Sequence, residues 1–365
     1  MMKSYLLGID IGTSACKVAV FDRNGKVLAA ASGDYPVYYP HEGWAEQNPE
    51  EWWDAVCRAT KETIQKADIT VDEIAGIGID GQSWSAIPID REGNVLVNTP
   101  IWMDTRAQSI CDRLNQEIGQ EEIFEVAGNS LQPSYSTAKI LWYKENLPEV
   151  YAKIYKILQS NSYIAFKLTG AVTQDVSQGY GLHCFNMKKG CWDEKMCKRL
   201  GIPMEFLPEI CDCDHVVGTV TGKAAAECGL VEGTPVVAGG LDAACGTLGA
   251  GVIHSGETQE QGGQAGGMSI CTEEYKADPR LILSYHVVPG KWLLQGGTTG
   301  GGGVMRWFER EFADYERMMK EQTGVSSLNQ LNKIAEKVGP GCDGMVFLPY
   351  MSGERSPVWN PYAKG

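Results

Sequence analysis

The sequence has no apolar run of 18 residues, the length a helix needs to cross a membrane, and Met1-Met2-Lys3-Ser4 leads straight into a strand pattern rather than a leader. Basic charge is scarce: 32 Lys and Arg stand against 46 Asp and Glu, a net charge of −14. That balance repels nucleic acid and anionic membrane, so no polyanionic partner is expected. A phosphate ligand would have to be held by local dipoles, a metal and a few donors. No Gly-Lys-Ser/Thr follows the first glycine turn, so the Walker A phosphate loop is excluded. No Gly-x-Gly-x-x-Gly opens a helix after the first strand with an acid about twenty residues on, which excludes a dinucleotide dehydrogenase. The 12 cysteines are scattered. Cys211-Asp212-Cys213, with His215 nearby, has no second pair at zinc-site spacing, and a solvent-side loop is expected there. Reduced thiols and a cytoplasmic location are the corresponding expectations.

What the chain does have is size, glycine and a telling first turn. At 365 residues, 43% hydrophobic and 21% charged, it can bury two cores. Its 43 glycines gather in the last third, where close backbone approach is the expected reason. Everything is organised around Leu6-Leu7-Gly8-Ile9-Asp10-Ile11-Gly12-Thr13-Ser14. An apolar strand ends in a carboxylate, a glycine and two hydroxyls, and a second strand (17–21) follows at once. Gly12 lets the backbone approach an anion, and the N–H groups and hydroxyls of Thr13 and Ser14 can face phosphate oxygens. Asp10 is placed to hold Mg²⁺ through water. The competing reading is an ordinary hairpin with an acidic turn. Asn24-Gly25 predicts a two-residue hairpin into a third strand, 26–31.

Further along, Asn48-Pro49-Glu50-Glu51 reads as a capped helix start. A buried strand over 74–79 ends in Asp80-Gly81-Gln82-Ser83-Trp84-Ser85, and another spans 86–89. Pro100 to Arg106 runs into a helix over 105–118. The middle, 128–233, reads as mostly helical, with helices over 136–146 and 162–168. Thr173 to Ser177, small and polar, is either a ligand rim or a solvated turn. A strand from Thr234 ends in Gly239-Gly240-Leu241-Asp242, and a helix of small residues follows over 243–248. After a boundary near 245–255 come a strand over 257–261 and the glycine turn Gly262-Gly263-Gln264-Ala265-Gly266-Gly267. A strand over 291–294 leads to Gly300-Gly301-Gly302-Gly303 and a helix over 304–312. Glycines opening a helix aim N–H groups and a positive dipole end at an anion, which makes Gly300 and Gly301 phosphate-contact candidates. A helix over 327–338 and a strand over 345–350 complete the reading.

Taken together these segments resemble the FGGY carbohydrate kinases, of the actin, Hsp70 and sugar-kinase superfamily. Asp10-Ile11-Gly12-Thr13 looks like that family's first phosphate loop. Ser134 to Asn146 is similar to its signature helix, with Lys139, Trp142 and Asn146 in register. Gly240-Leu241-Asp242 resembles its Gly-x-Asp segment, and Gly353 to Pro357 a further one. Within the family, Gly81-Gln82-Ser83-Trp84 and Trp102-Met103-Asp104-Thr105-Arg106 are most similar to the xylulokinase group, except that Ser83-Trp84 stands where Met-His is usual.

The resemblance implies an α/β, two-domain, actin-like and RNase H-like fold: a sugar-binding domain over 1–245 and the first part of a nucleotide-binding domain over 246–365, the second domain incomplete. It implies an ATP- and Mg²⁺-dependent kinase acting on a sugar or polyol hydroxyl, with a ketopentose such as xylulose expected. Asp242 is then the general base and Asp10 the metal ligand. Gln82, Ser83, Trp84, Asp104, Arg106 and Asp242 meet the sugar. Gly12, Thr13, Ser14, Gly263, Gln264, Gly266, Gly300 and Gly301 meet the nucleotide. Gln264-Ala265 replaces the hydroxyls of the family's second phosphate loop, and weak ATP binding by the isolated chain is expected. A sensor that binds sugar or nucleotide without catalysis is the alternative. Sugar, ATP and a homodimer are the expected partners. Structural readings stay open beside these: Trp102 as core, Arg106 as a helix salt bridge, Asp242 as a helix cap. Lys139 and Trp142 are expected to be a surface and a packing residue.

Overall fold

The computed structural model describes residues 4–263, 265–351, 353–360 and 362–365. They form two compact units, each considered by itself. The first comprises the residues up to Ser255 with Cys271–Pro279 and Leu283–Leu293; the second comprises Gly256–Ile270, Arg280–Ile282 and Leu294–Gly365.

In the first unit, β1 (Tyr5–Ile11), β2 (Ala15–Phe21) and β3 (Val27–Asp34) form an antiparallel meander. Strand β4 (Ile74–Gly81) lies parallel to β1 on its other side. Beyond β4 come β5 (Val216–Thr219) and β6 (Pro235–Val237), in the order β5-β6-β4-β1-β2-β3, and the short β7 (Gly240–Leu241) also pairs with β4. In β1, β2 and β4 the alternating buried positions are Leu7, Ile9, Ile11, Val18, Val20, Ile77 and Ile79. These pack against α1 (Pro49–Ala67), through Trp52, Ala55, Val56 and Ala59, and against α3 (Ser160–Thr169), through Ile164 and Leu168. A separate apolar cluster gathers around α2 (Ser136–Asn146). Two further helices, α4 (Gly222–Cys228) and α5 (Asp242–Gly249), flank β6 and β7 in the chain. Asn48 caps α1 by accepting the Glu50 N–H, as its sequence predicts.

Several expectations need correction. The turn at Asn24-Gly25 is longer than two residues. Asp22 N–H donates to the Lys26 carbonyl, and the Asp22 carboxylate accepts from Asn24 and Lys26 N–H, closing a loop over Arg23, Asn24 and Gly25. Gly25 takes the left-handed conformation that such a loop requires. The helix expected over 105–118 begins only at Gln108, because Asp104 folds back to accept the Arg106 N–H; it ends in a wide π-helical turn over Asn115–Gly119. Thr173 to Ser177 is not a solvated turn: a strand over Thr173–Asp175 pairs in parallel with Glu209–Cys211, and Gln174, Asp175 and Ser177 are buried. Nor is the Cys211–Cys213 segment a solvent-side loop, since Cys211 joins that ladder and Cys213 is buried against Asp175.

In the second unit an antiparallel hairpin pairs residues 258–262 with residues 266–270, from Thr258 with Ile270 to Gly262 with Gly266. Three helices follow, α6 (Gly302–Phe312), α7 (Asp314–Thr323) and α8 (Ser327–Ala335). Residues 345–350, expected as a strand, form none. Met345, Val346 and Phe347 are exposed and the segment has no ladder partner among the described residues, without which an extended run is not a strand. Among the described residues no helix is long and apolar enough to cross a membrane.

Candidate active site

Register brings three carboxylates together. Asp10 of β1 stands opposite Asp80 of β4, Asp80 stands opposite Gly240 of β7, and Asp242 lies two residues beyond Gly240 as the first residue of α5. Lys17, opposite Asp10 on β2, donates from Nζ to Asp10 Oδ2 at 2.8 Å.

The three acids do not behave alike. Burial pushes the Asp242 carboxyl up from its ordinary 3.8 to about 7; the Ala243 N–H at 2.6 Å and Lys17 oppose that rise, while Asp10 adds to it. Burial first, then the Asp10 and Asp242 charges, holds Asp80 well above the usual carboxylate range, and Asp80 is hydrogen-bonded to Asp10. The Lys17 ammonium is raised, chiefly by its hydrogen bond to Asp10. The cluster therefore contains an Asp80 whose neutral form is favoured, a poised Asp242 and an ion pair. Asp242 begins its helix rather than capping it; Leu241 is the cap residue.

The turn after β1 is fixed from several sides. Tyr35 Oη donates to the Gly12 carbonyl at 2.6 Å, and Gln47 Nε2 donates to the Thr13 carbonyl at 2.8 Å. Trp102 Nε1 donates to Thr13 Oγ1 at 2.9 Å. The Thr13 hydroxyl keeps its own proton for another acceptor. Trp102 is half-buried at this turn rather than core. Ser14 is exposed beside it.

The segment aligned with sugar contact divides in two. Gln82 donates from Nε2 to Gln47 Oε1, linking it to the same turn. Trp84 is buried at 3% exposure, stacked on Tyr135 at 4.2 Å, with φ of 61°. Gln82 Oε1, Trp84 Nε1 and Ser85 Oγ are all buried and lack a hydrogen-bond partner, while Ser83 accepts from Tyr180 Oη. Three such atoms in four residues is a local excess of unsatisfied buried polar groups. Asp104 and Arg106 are bonded to each other. Asp104 is fully buried, accepting from Ala45 N–H and from Arg106 Nε and Nη2. The Arg106 guanidinium also pairs with Glu46 and lies 3.8 Å above the Trp44 ring. Its salt bridge precedes the helix. These two residues satisfy each other and brace the 100–106 segment.

Lys139 overturns its surface assignment: it is fully buried, and Nζ donates at 2.8 Å to the carbonyls of Trp84 and Ile101. Burial lowers its ammonium to about 7. Lys139 thus pins the left-handed Trp84 and the strand end at Ile101. Trp142 packs beside Arg106, 5.0 Å from its guanidinium.

In the second unit, Gly263, Gly266, Gly300 and Gly301 come together. Gly302 N–H donates to the Gly263 carbonyl at 2.7 Å. A Cβ on Gly301 would overlap the Ala265 backbone, and one on Gly300 the Pro349 carbonyl. The glycines are used for backbone-on-backbone packing. Glu354 holds the second turn through Thr298 Oγ1 and Thr299 N–H. Gln264 lies outside the described residues.

Sequence reasoning missed Asp80, Lys17 and the role of Lys139. A signal for Asp80 existed: Gly8-Ile9-Asp10, Gly78-Ile79-Asp80 and Gly240-Leu241-Asp242 repeat one Gly-apolar-Asp pattern at strand ends.

Residues 5–249 match the N-terminal domain of the FGGY family of carbohydrate kinases, and residues 266–365 match its C-terminal domain. Xylulose kinase of Bacillus subtilis (strain 168) is 32% identical over 355 residues, covering 97% of this chain and 69% of that protein. Gluconokinase of the same organism is 31% identical over 369 residues, covering 100% of this chain and 71% of that protein. The structure of a ligand-bound xylulose kinase from Lactobacillus acidophilus superposes with a TM-score of 0.88 at 28% identity, covering 99% of this chain and 71% of that one.

Proposed function

The chain belongs to the FGGY family of carbohydrate kinases, ATP-dependent phosphotransferases, and we propose that it phosphorylates a neutral ketopentose such as xylulose with Asp242 as general base. The observation that carries this reading is the Asp242 carboxyl, held at about 7 beside Asp10 and Asp80. A base poised near the working pH takes up a hydroxyl proton most effectively.

A sugar hydroxyl is a poor nucleophile, so transfer needs positioning, a proton acceptor and neutralised charge. Asp242 accepts the hydroxyl proton as the oxygen attacks the γ-phosphorus. Thr13, its oxygen already occupied by Trp102, offers its proton to a phosphate oxygen, with the N–H groups of the turn beside it. Gln82, Ser83 and Trp84 form the sugar-side wall, in which Gln82 Oε1 and Trp84 Nε1 have no hydrogen-bond partner among the described residues. Asp104 and Arg106 support that wall from behind. Gly263, Gln264, Gly266, Gly300 and Gly301 are the nucleotide-side residues in this reading.

The donors at the acidic cluster suit a hard, hydrated cation, since they are carboxylate oxygens alone, and burial followed by their mutual repulsion raises Asp80 and Asp242. Among the described residues no group of three or more His, Cys, Asp or Glu side chains is placed to hold a metal ion directly. Asp10 would hold Mg²⁺, which supplies charge neutralisation at the phosphates when bound.

Relatives named for xylulose and for gluconate both align, and charge favours the neutral sugar. A gluconate carboxylate calls for a free cation, whereas Arg106 is paired twice and Lys139 faces two carbonyls. Turnover of a panel of ketoses, polyols and aldonates tests this: ketopentose should lead, and a preference for gluconate would overturn it. Asp242→Asn should lower kcat by about 10²–10⁴-fold with sugar affinity nearly intact. Retention of more than about a tenth of wild-type kcat would remove Asp242 from the base role.

A further inference from the structure

One buried carboxylate has no part in the chemistry above. Asp175 is 1% exposed, yet it accepts from Asn161 Nδ2 at 2.9 Å, Ser177 Oγ at 2.5 Å, Gln178 N–H at 2.9 Å and Gln174 Nε2 at 3.3 Å. No Lys or Arg pairs with it among the described salt bridges, so a cage of neutral dipoles holds the charge. Such a cage is costly to assemble merely to fill a core. Two of its members reach on to the segment that carries Asp242.

Ser177 Oγ accepts the Leu241 N–H at 2.9 Å, and Leu241 immediately precedes Asp242. With Asp175 accepting from Ser177, the direction of the relay is fixed: Leu241 N–H to Ser177, Ser177 to Asp175. Asn161 Nδ2 also donates to the Ala238 carbonyl at 3.1 Å. The stretch 238–241 is thus tied at both ends to one buried acid. Between the ties lie Gly239, with φ of 72°, and Gly240, where a Cβ would come 2.8 Å from Ser177 Oγ. Glycines give this stretch little stiffness of its own, so its course must be set by outside contacts.

We propose that Asp175 and Ser177 are positioning residues for the reaction, fixing the 238–241 backbone so that the Asp242 carboxylate meets the acceptor hydroxyl. The inference rests on Asp242 being the base. A base displaced by a fraction of an ångström loses rate while the ligands still bind, because Ser177 holds the Leu241 N–H, whereas the Gly81 and Gln82 carbonyls are held by Gln178 Nε2.

The test is a double-mutant cycle in the intact enzyme. Ser177→Ala removes the bridging hydroxyl and leaves the Leu241 N–H without its acceptor. It should lower kcat about ten- to a hundredfold, with KM for sugar and ATP changed less than about twofold. In an Asp242→Asn background the same substitution should cost almost nothing further, because the group it positions is gone. Unchanged kcat in Ser177→Ala would overturn the proposal. So would an equal fold loss in both backgrounds, which marks a general structural effect. If Ser177→Ala does not fold, Asp175→Asn serves in its place, since its amide sets a donor against Asn161 Nδ2. It should lower kcat at least as far, and full kcat there would equally overturn the proposal. An Asp242→Asn enzyme that keeps more than about a tenth of wild-type kcat instead refutes the base assignment itself, whatever Ser177→Ala does.

Discussion

Asp80 is predicted to work in its neutral form, and that distinguishes it from its two neighbours. Burial and two adjacent carboxylates favour its neutral form. Asp80→Asn copies that state and should leave kcat within about threefold, close to the spread of neutral polar swaps. Asp10→Asn removes the proposed metal ligand; its kcat should fall steeply and partly recover as Mg²⁺ is raised, whereas Asp242→Asn should show no such rescue. Asp242 also makes a stability prediction. Below about pH 4 its carboxyl is neutral in the folded and unfolded chain alike. As pH rises towards about 7 the unfolded chain loses a proton that the folded chain keeps, so folding weakens through that window. Asp242→Asn abolishes this titration. Denaturant melts at pH 4 and pH 8 should show the variant gaining about 1–3 kcal/mol relative to wild type at the higher pH. An equal difference at both would refute the raised pKa. Asp10 and Asp242 were legible in sequence because each ends an apolar strand beside glycine. Lys139 was not, since a lysine inside an amphipathic helix looks the same whether its ammonium meets water or two carbonyls.

Elements were read well wherever periodicity met a stop signal. β1, β2, β4, α1 and α2 lie where alternation, Asn48-Pro49 and Leu147-Pro148 put them. Reading failed where a side chain overrode local pattern, as with the Asp22 carboxylate that lengthens a hairpin and the Asp104 carboxylate that delays a helix. It failed also at Thr173–Asp175, whose polar residues are buried only because Glu209–Cys211 pairs beside them, a contact no local window contains. At the level of elements the sharpest expectation concerns the join between β6 and β7. A Cβ at position 239 would overlap the Ile79 carbonyl, and the backbone there is left-handed. Gly239→Ala should therefore destabilise the fold by more than about 3 kcal/mol, seen as a large fall in Tm. A variant that melts like wild type would show that β6 and β7 do not pass β4 as described.

For the whole molecule, a net charge of −14 surrounds a site meant for a polyanionic nucleotide. Long-range repulsion should slow encounter, and salt should relieve it. KM for ATP should therefore hold steady or fall as ionic strength rises from about 10 to about 150 mM, over which the Debye length shrinks from about 30 to about 8 Å. A marked rise would reveal a local basic funnel that outweighs the overall charge. Strand order has a consequence of another kind. β4 finds one neighbour near residue 5 and the others only at 235–241. On a ribosome adding about 5–20 residues per second, roughly ten to thirty seconds separate the appearance of β4 from that of its last partners. Throughout that interval β4 shows an open edge lined with Ile77 and Ile79, the kind of surface on which nascent chains aggregate. Synthesis that stalls between residues 81 and 235 should therefore yield a chaperone-bound, insoluble intermediate, and the carboxylate proposed as the base would be among the last parts of this unit to join the sheet.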